Sequence, residues 1–109
     1  MKKIILLLLF LSIFKVNAQQ NGILFQRLLG GSSQDGLNSY LLTPDGGFII
    51  AGFTGSTDGD IQQAPLGDFD VSITKLNATG AVEWQKSYGG TSSDQNARVK
   101  ATADGGYVI

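Results

Sequence analysis

The sequence predicts an all-β protein of antiparallel four-stranded repeat units, about one and a half of them, behind an N-terminal leader. Three observations carry this. A block of residues recurs 59 positions later without a slip, hydrophobicity outside residues 1–18 alternates with a two-residue rather than a helical period, and several of the 15 glycines cluster in Gly-Gly-Ser and Asp-Gly-Gly runs.

The leader comes first. Met1-Lys2-Lys3 is cationic, residues 4–14 are apolar except for Ser12, and Val16-Asn17-Ala18 places small or modest side chains where a signal peptidase reads. This order predicts a secretory signal peptide over residues 1–18, cut after Ala18 to leave Gln19. The apolar run falls well short of the roughly 20 residues that a membrane-spanning helix needs, so no membrane span is expected in the mature chain. The absence of cysteine excludes a lipid-anchored lipoprotein, a disulfide framework and a Cys/His zinc site. With no histidine either, no Ser-His or Cys-His catalytic pair is available in this chain. Cleavage would remove Lys2, Lys3 and Lys15 and no acid, moving the formal charge from −1 to −4. That balance argues against nucleic acid and anionic membrane surfaces as partners.

The repeat is read directly. Aligning residues 25–50 with 84–109 gives 10 identities in 26 positions. Gly30 matches Gly89, Gly31 matches Gly90, and Asp35 matches Asp94. Asp45 matches Asp104, Gly46 matches Gly105, and Gly47 matches Gly106. All twelve are expected to serve the architecture. Residues 19–80 then form a first unit and 81–109 a truncated second one, broken off inside a strand, as in an N-terminal fragment of a longer protein. An unfinished sheet leaves an open edge, so self-association is expected.

Four strands are expected in the first unit. The first covers residues 23–29; its counterpart at 82–88 alternates Val82, Trp84, Lys86 and Tyr88 against Glu83, Gln85 and Ser87. Residues 37–42 are the second. Residues 48–54 are the third, apolar on both faces at Phe48-Ile49-Ile50-Ala51 and therefore an inner strand. Residues 69–76 are the fourth, with Phe69, Val71 and Ile73 opposite Asp70, Ser72 and Thr74, which suits an outer strand with one side in water. Thr43-Pro44-Asp45-Gly46-Gly47 reads as a type I turn closed by a glycine bulge, and Ala103 in place of Pro44 leaves the glycine geometry intact. Asn77-Ala78-Thr79-Gly80 reads as a turn rather than a used glycosylation sequon. Tandem four-stranded units favour propeller blades over a β-solenoid or a row of stacked sandwiches, the extra length lying in the loop over residues 55–67.

These stretches resemble the repeats of a family of secreted Bacteroidetes proteins. The likeness runs through residues 25–35 and 84–94, Thr43-Pro44-Asp45-Gly46-Gly47 with its strand, Ser56-Thr57-Asp58-Gly59-Asp60, and residues 70–76. It covers essentially the whole mature chain. One departure is Ser72, where the family usually has Trp. The resemblance implies a propeller-type surface protein, often ending in a type IX secretion sorting domain.

Asp58, Asp60, Asp68 and Asp70 form the densest carboxylate group. Alternating acids around glycine can supply oxygen ligands to calcium, so they are the candidate metal ligands, against the plainer reading of a solvated loop whose acids cap backbone N–H groups. The same acids could furnish a glycosidase pair. Gly30-Gly31-Ser32-Ser33 lacks the Lys-Ser/Thr of a phosphate-binding loop and reads as a strand connection. Trp84 and Phe25 are expected in the core. Arg27 and Lys86 are expected to lie along the surface or to pair with Asp35 and Asp94.

The reading that follows is a non-catalytic, exported β-repeat scaffold or interaction module for a protein or glycan surface, without a cofactor unless calcium binds. The alternative is part of a secreted polysaccharide hydrolase, its chemistry either missing or in the loop from Asp58 to Asp70. Localisation through the general secretory pathway is the first point to check. N-terminal sequencing of the exported protein should begin at Gln19, and an intact Met1 on exported material would contradict the leader assignment.

Overall fold

A computed structural model describes residues 25–109. The signal-peptide assignment to residues 1–18 lies outside the described residues, as do the first two positions of the strand expected over 23–29. Six strands follow in order: β1 (Asp35–Leu42), β2 (Phe48–Thr54), β3 (Asp70–Leu76), β4 (Val82–Tyr88), β5 (Lys100–Ala101) and β6 (Tyr107–Val108). The first four form one open antiparallel sheet in sequential order, and the last two form a separate hairpin. Among the described residues there is no helix, and none long and apolar enough to cross a membrane. The fold is all-β, as the alternation predicts.

The repeat is visible in backbone geometry. Leu41 faces Ile49 and Leu42 faces Phe48 across β1 and β2; Lys100 faces Val108 and Ala101 faces Tyr107 across β5 and β6, each 59 residues later. The turns match bond for bond. Gly46 N donates to Thr43 O at 3.0 Å and Gly105 N to Thr102 O at 3.2 Å. Gly46 and Gly105 have φ of 79° and 82°, the left-handed region that closes a type I turn with a bulge and that a side chain resists. Pro44 is dispensable to this geometry, since Ala103 stands in its place. The Asn77 turn has the same form: Gly80 has φ 83°, and Asn77 Oδ1 accepts from Thr79 N, Thr79 Oγ1 and Ala81 N.

Three expectations about the strands are corrected. Residues 25–30 form no strand; the fourth strand of the sheet is Val82–Tyr88, the stretch to which the repeat aligns them. The sequence boundary at residues 80 and 81 therefore falls between β3 and β4 of one sheet. Second, β3 is an inner strand, and its polar side is buried: Asp70 is 1% exposed, with Ser72 and Thr74 also buried. The loop of residues 55–69 folds over that side: its Leu66 N and Gly67 N donate to Asp70, while Ser72 accepts from Gln85 of the neighbouring strand. Third, the faces of β4 are inverted. Gln85 and Ser87 are buried, whereas Trp84 and Phe25, expected in the core, are 36% and 37% exposed. Phe25 still rests edge-on against Phe48, ring centres 6.0 Å apart.

Opposed residues of an antiparallel pair share a face. One face of the sheet, termed the isoleucine face, carries Leu41, Ile49, Ala51, Val71 and Ile73. Ala97 and Val99 of the second unit cover it, and Ile49, Ala51, Ile73, Ala97 and Val99 make the core cluster. Val99 N also donates to Ser39 Oγ at 3.1 Å. The other, tyrosine face carries Tyr40, Leu42, Phe48, Ile50 and Leu76.

A core this small makes each member count. Truncating Ile73, which is fully buried, should cost about 2–5 kcal/mol in urea titration, through lost burial and the cavity left behind. Truncating Leu66, 73% exposed, should change stability by no more than about 0.5 kcal/mol.

Candidate functional site

The recurring acids are all engaged with their own turns. Asp45 Oδ1 accepts from the Thr43 hydroxyl and from Gly47 N; Asp104 Oδ1 accepts from the Thr102 hydroxyl and Gly106 N in the same way. Asp35 Oδ2 accepts from Gly31 N at 2.9 Å, and Asp94 Oδ2 from Gly90 N at 2.8 Å. Asp35 also receives the hydroxyls of Thr54 and Ser56. Ser32 N donates to Asp58 Oδ1 at 2.7 Å and Ser33 N to Ser56 Oγ at 3.0 Å. The three successive N–H groups of Gly31, Ser32 and Ser33 are thus taken up internally, in line with a strand connection rather than a phosphate cradle.

The recurring Gly-Gly pair is where the two units differ. Gly30 has φ 132° and its carbonyl accepts from Asp60 N at 2.9 Å; Gly89 lies outside the positive-φ region. The two share a close approach, since a Cβ on Gly30 would strike the carboxylate of Asp35 and one on Gly89 the carboxylates of Asp70 and Asp94. A Cβ on Gly31 would strike Asp58 and Ser56, whereas Gly90 has open space in that direction. The cause is the neighbour that each pair meets. Gly30 and Gly31 pack on the loop carrying Ser56, Asp58 and Asp60, while Gly89 packs on Asp70 at the start of β3. The glycine bond to the following acid survives in both units, but the backbone conformation of Gly89 does not repeat that of Gly30.

The four candidate calcium ligands part company. Asp58 caps Ser32, and Asp60 pairs with Arg27 at 2.9 Å. Asp70 is buried and accepts from Leu66 N at 2.8 Å and Gly67 N at 3.4 Å. Asp68 is exposed. Among the described residues no three His, Cys, Asp or Glu side chains converge as a metal site would require. Arg27, expected at Asp35, meets Asp60 instead, because Asp35 is filled by the turn and the two hydroxyls. Lys86 is exposed.

Two polar networks go beyond the sequence reading. Gln85 Oε1 accepts from Gln62 N and Gln63 N at 2.8 and 3.0 Å, and Gln85 Nε2 donates to Ser72 Oγ and Ser87 Oγ. Ser87 Oγ in turn donates to Gln63 O at 2.6 Å. This lattice fastens the long loop onto the sheet, and it is complete: among the described residues no buried side-chain nitrogen or oxygen lacks a partner. The signal available in the sequence is the recurrence of Gln26 as Gln85. The second network centres on Lys75, whose Nζ meets Asp45 Oδ2 at 2.9 Å, Leu76 O at 2.8 Å and Glu83 Oε2 at 3.3 Å.

A groove remains on the tyrosine face, between residues 25–30 and the sheet. Its polar end is a cavity of about 340 Å³ bordered by Arg27, Asp60, Asp35, Ser72 and Thr74. Its apolar end, about 260 Å³, is bordered by Phe25, Leu37, Tyr40, Phe48, Ile50 and Leu76. Arg27, Leu29, Leu37 and Ile50 border both, so the two ends are continuous. Such a surface can receive apolar side chains.

Fold and groove together define an all-β protein on an open four-stranded antiparallel sheet, with a separate two-stranded hairpin. Compared with family models, curated proteins and solved structures, the chain has no match.

Charge enters stability through the turns. Hydrogen bonds from the Thr43 hydroxyl, the Lys75 ammonium and Gly47 N hold the Asp45 carboxyl well below the usual carboxylate range. Thr102 and Gly106 lower Asp104, and the Ser32 N–H lowers Asp58. Burial opposes the charge on Lys75, but the Asp45 and Glu83 carboxylates outweigh it, so its pKa is raised. Groups lowered on folding stabilise above the unfolded carboxylate value of about 3.9 and lose that contribution as pH falls through the folded one. A raised lysine stabilises below about 10.4 and loses its contribution as pH climbs through its folded value. Melting temperature should therefore be flat in between and fall at both ends. Asp45→Asn should weaken both slopes, and an unchanged alkaline slope in that variant would contradict the Lys75 pairing.

Proposed function

We propose that the chain is a non-catalytic, exported β-repeat scaffold whose units present an interaction surface for proteins or glycans at the cell envelope or outside the cell. The observation that carries this reading is the engagement of the recurring acids. Asp35 and Asp94, and Asp45 and Asp104, give their oxygens to the same backbone N–H groups in both units. Residues that repeat with the fold and hold its turns in the same way each time serve construction, whereas a reacting carboxylate need occur only once. The propeller-blade reading draws support from the sheet order and from the hairpin that restarts it in register. The likeness to Bacteroidetes secreted repeats and the leader at residues 1–18 support export, with type IX sorting a feature of that family's longer members.

The enzyme alternative is tested directly. The purified chain, incubated with a panel of envelope and plant polysaccharides, should release no new reducing ends. Release that disappears in Asp58→Asn or Asp60→Asn would overturn the scaffold reading.

A further inference from the structure

We infer that the polar cavity on the tyrosine face is a binding site for a neutral oligosaccharide, one sugar ring of which is held by the hydroxyls of Ser72 and Thr74. The inference deepens the interaction-module reading and rests on it.

The cavity is built into the sheet. Gly52 faces Leu37 across β1 and Ser72 across β3. A Cβ on Gly52 would strike Gly36 O, so the approach of the two strands keeps that position bare. The space of about 340 Å³ bordering it lies within the range of small-molecule pockets. Its two walls, residues 27–30 and the long loop, are tied to each other twice. Arg27 Nη2 meets Asp60 Oδ1 at 2.9 Å, and Asp60 N donates to Gly30 O at 2.9 Å. The site is therefore shaped before a ligand arrives, which spares the cost of ordering it on binding.

The lining sets the ligand's chemistry. Thr74 borders the cavity and is only 8% exposed, yet its hydroxyl hydrogen-bonds to none of the described residues. Every fully enclosed polar side-chain atom among the described residues has a partner, so the Thr74 oxygen opens into the cavity. Ser72, 9% exposed, accepts from Gln85 Nε2 at 3.1 Å, and its own proton goes to none of the described residues. The two hydroxyls stand two positions apart on β3, about 7 Å along the strand. A buried hydroxyl left without a partner is costly, so both call for a polar ligand. The charges at the rim call for none. Arg27 and Asp60 are paired with each other, and Asp35 is engaged by Gly31 N and the hydroxyls of Thr54 and Ser56. The remaining walls are apolar, from Leu29, Leu37, Ile50 and Ile61. A sugar ring has this make-up, with hydroxyls around its rim and C–H groups on its faces. An apolar peptide side chain at this end would leave both hydroxyls unanswered. Toward the continuous apolar end, the exposed rings of Tyr40 and Phe25 offer flat surfaces for the next sugar.

Titration of the isotope-labelled chain with cellobiose, maltose and diacetylchitobiose, followed through amide chemical shifts, tests it. At least one should bind at millimolar concentration and move the amides of Ile50, Gly52, Ser72 and Thr74 first. Thr74→Val keeps the shape and the strand preference. It should weaken that binding about three- to tenfold, the worth of one hydrogen bond, with no fall in melting temperature. Leu29→Trp, at a half-buried position on the cavity wall, should fill the space and abolish binding with the fold intact. Binding of none of the three sugars, shifts confined to another surface, or full affinity in Thr74→Val overturns the inference. Should Thr74→Val fail to fold, Leu29→Trp decides, and undiminished affinity there refutes the site. Each of these failures leaves the non-catalytic reading standing, since that reading falls only on release of reducing ends.

Discussion

A single four-stranded sheet has two faces and no interior, and that constraint governs the rest of this structure. Burying apolar side chains is the main favourable term in folding, so each face must find a cover. The isoleucine face is covered by Ala97 and Val99 from the next unit. The opposite face is covered by two unrelated devices, a polar lattice centred on Gln85 and the extended segment that carries Phe25 and Arg27. Each face of the sheet thus relies on residues that lie outside it.

Polar groups take on here a role that apolar ones fill in larger domains. With few large side chains fully buried, the long loop is fixed by Gln85, Ser72 and Ser87, and by Asp70 taking up two loop N–H groups. Hydrogen bonds of this sort add little when exposed to water but are costly to leave unmade when buried. A buried carboxylate, such as that of Asp70, with its acceptors turned on backbone donors is therefore a determinant of loop shape. The exposed pair of Arg27 and Asp60 is a weaker tie, as surface ion pairs generally are.

What was legible in the sequence was what backbone geometry demands locally. Asp-Gly-Gly after a strand leaves few choices, and both copies adopt the same turn, with Gly46 and Gly105 in the left-handed region. The Gly-Gly pair before the serines is less constrained by its own residues, so Gly30 and Gly89 take different conformations against different neighbours. Inner strand β2 was legible because Phe48-Ile49-Ile50-Ala51 tolerates water on neither side. The order of strands in the sheet was not, because β4 reaches β3 through pairing that no local pattern encodes, and the repeat boundary suggested a different grouping. The facing of Trp84 and Gln85 was misread for the same reason. Alternation shows that two faces differ, but which is covered depended on Gln62 and Gln63 arriving from a distant loop. The acids Asp58, Asp60, Asp68 and Asp70 are close in sequence, yet the turns send them to separate tasks.

The meander has one more consequence, for a chain held under tension. Asp35 faces Thr54, Thr54 faces Asp70, and Val71 faces Tyr88, so the polypeptide enters and leaves the sheet at the same end. A pull on the two flanks would load the ladders one rung at a time from that end instead of shearing them together. The first anchor to bear the load is the knot of Asp35, Thr54 and Ser56, whose hydroxyls and carboxylate are tied to one another. On the β1 flank that small polar clasp must open before the ladder of β1 and β2 can unzip.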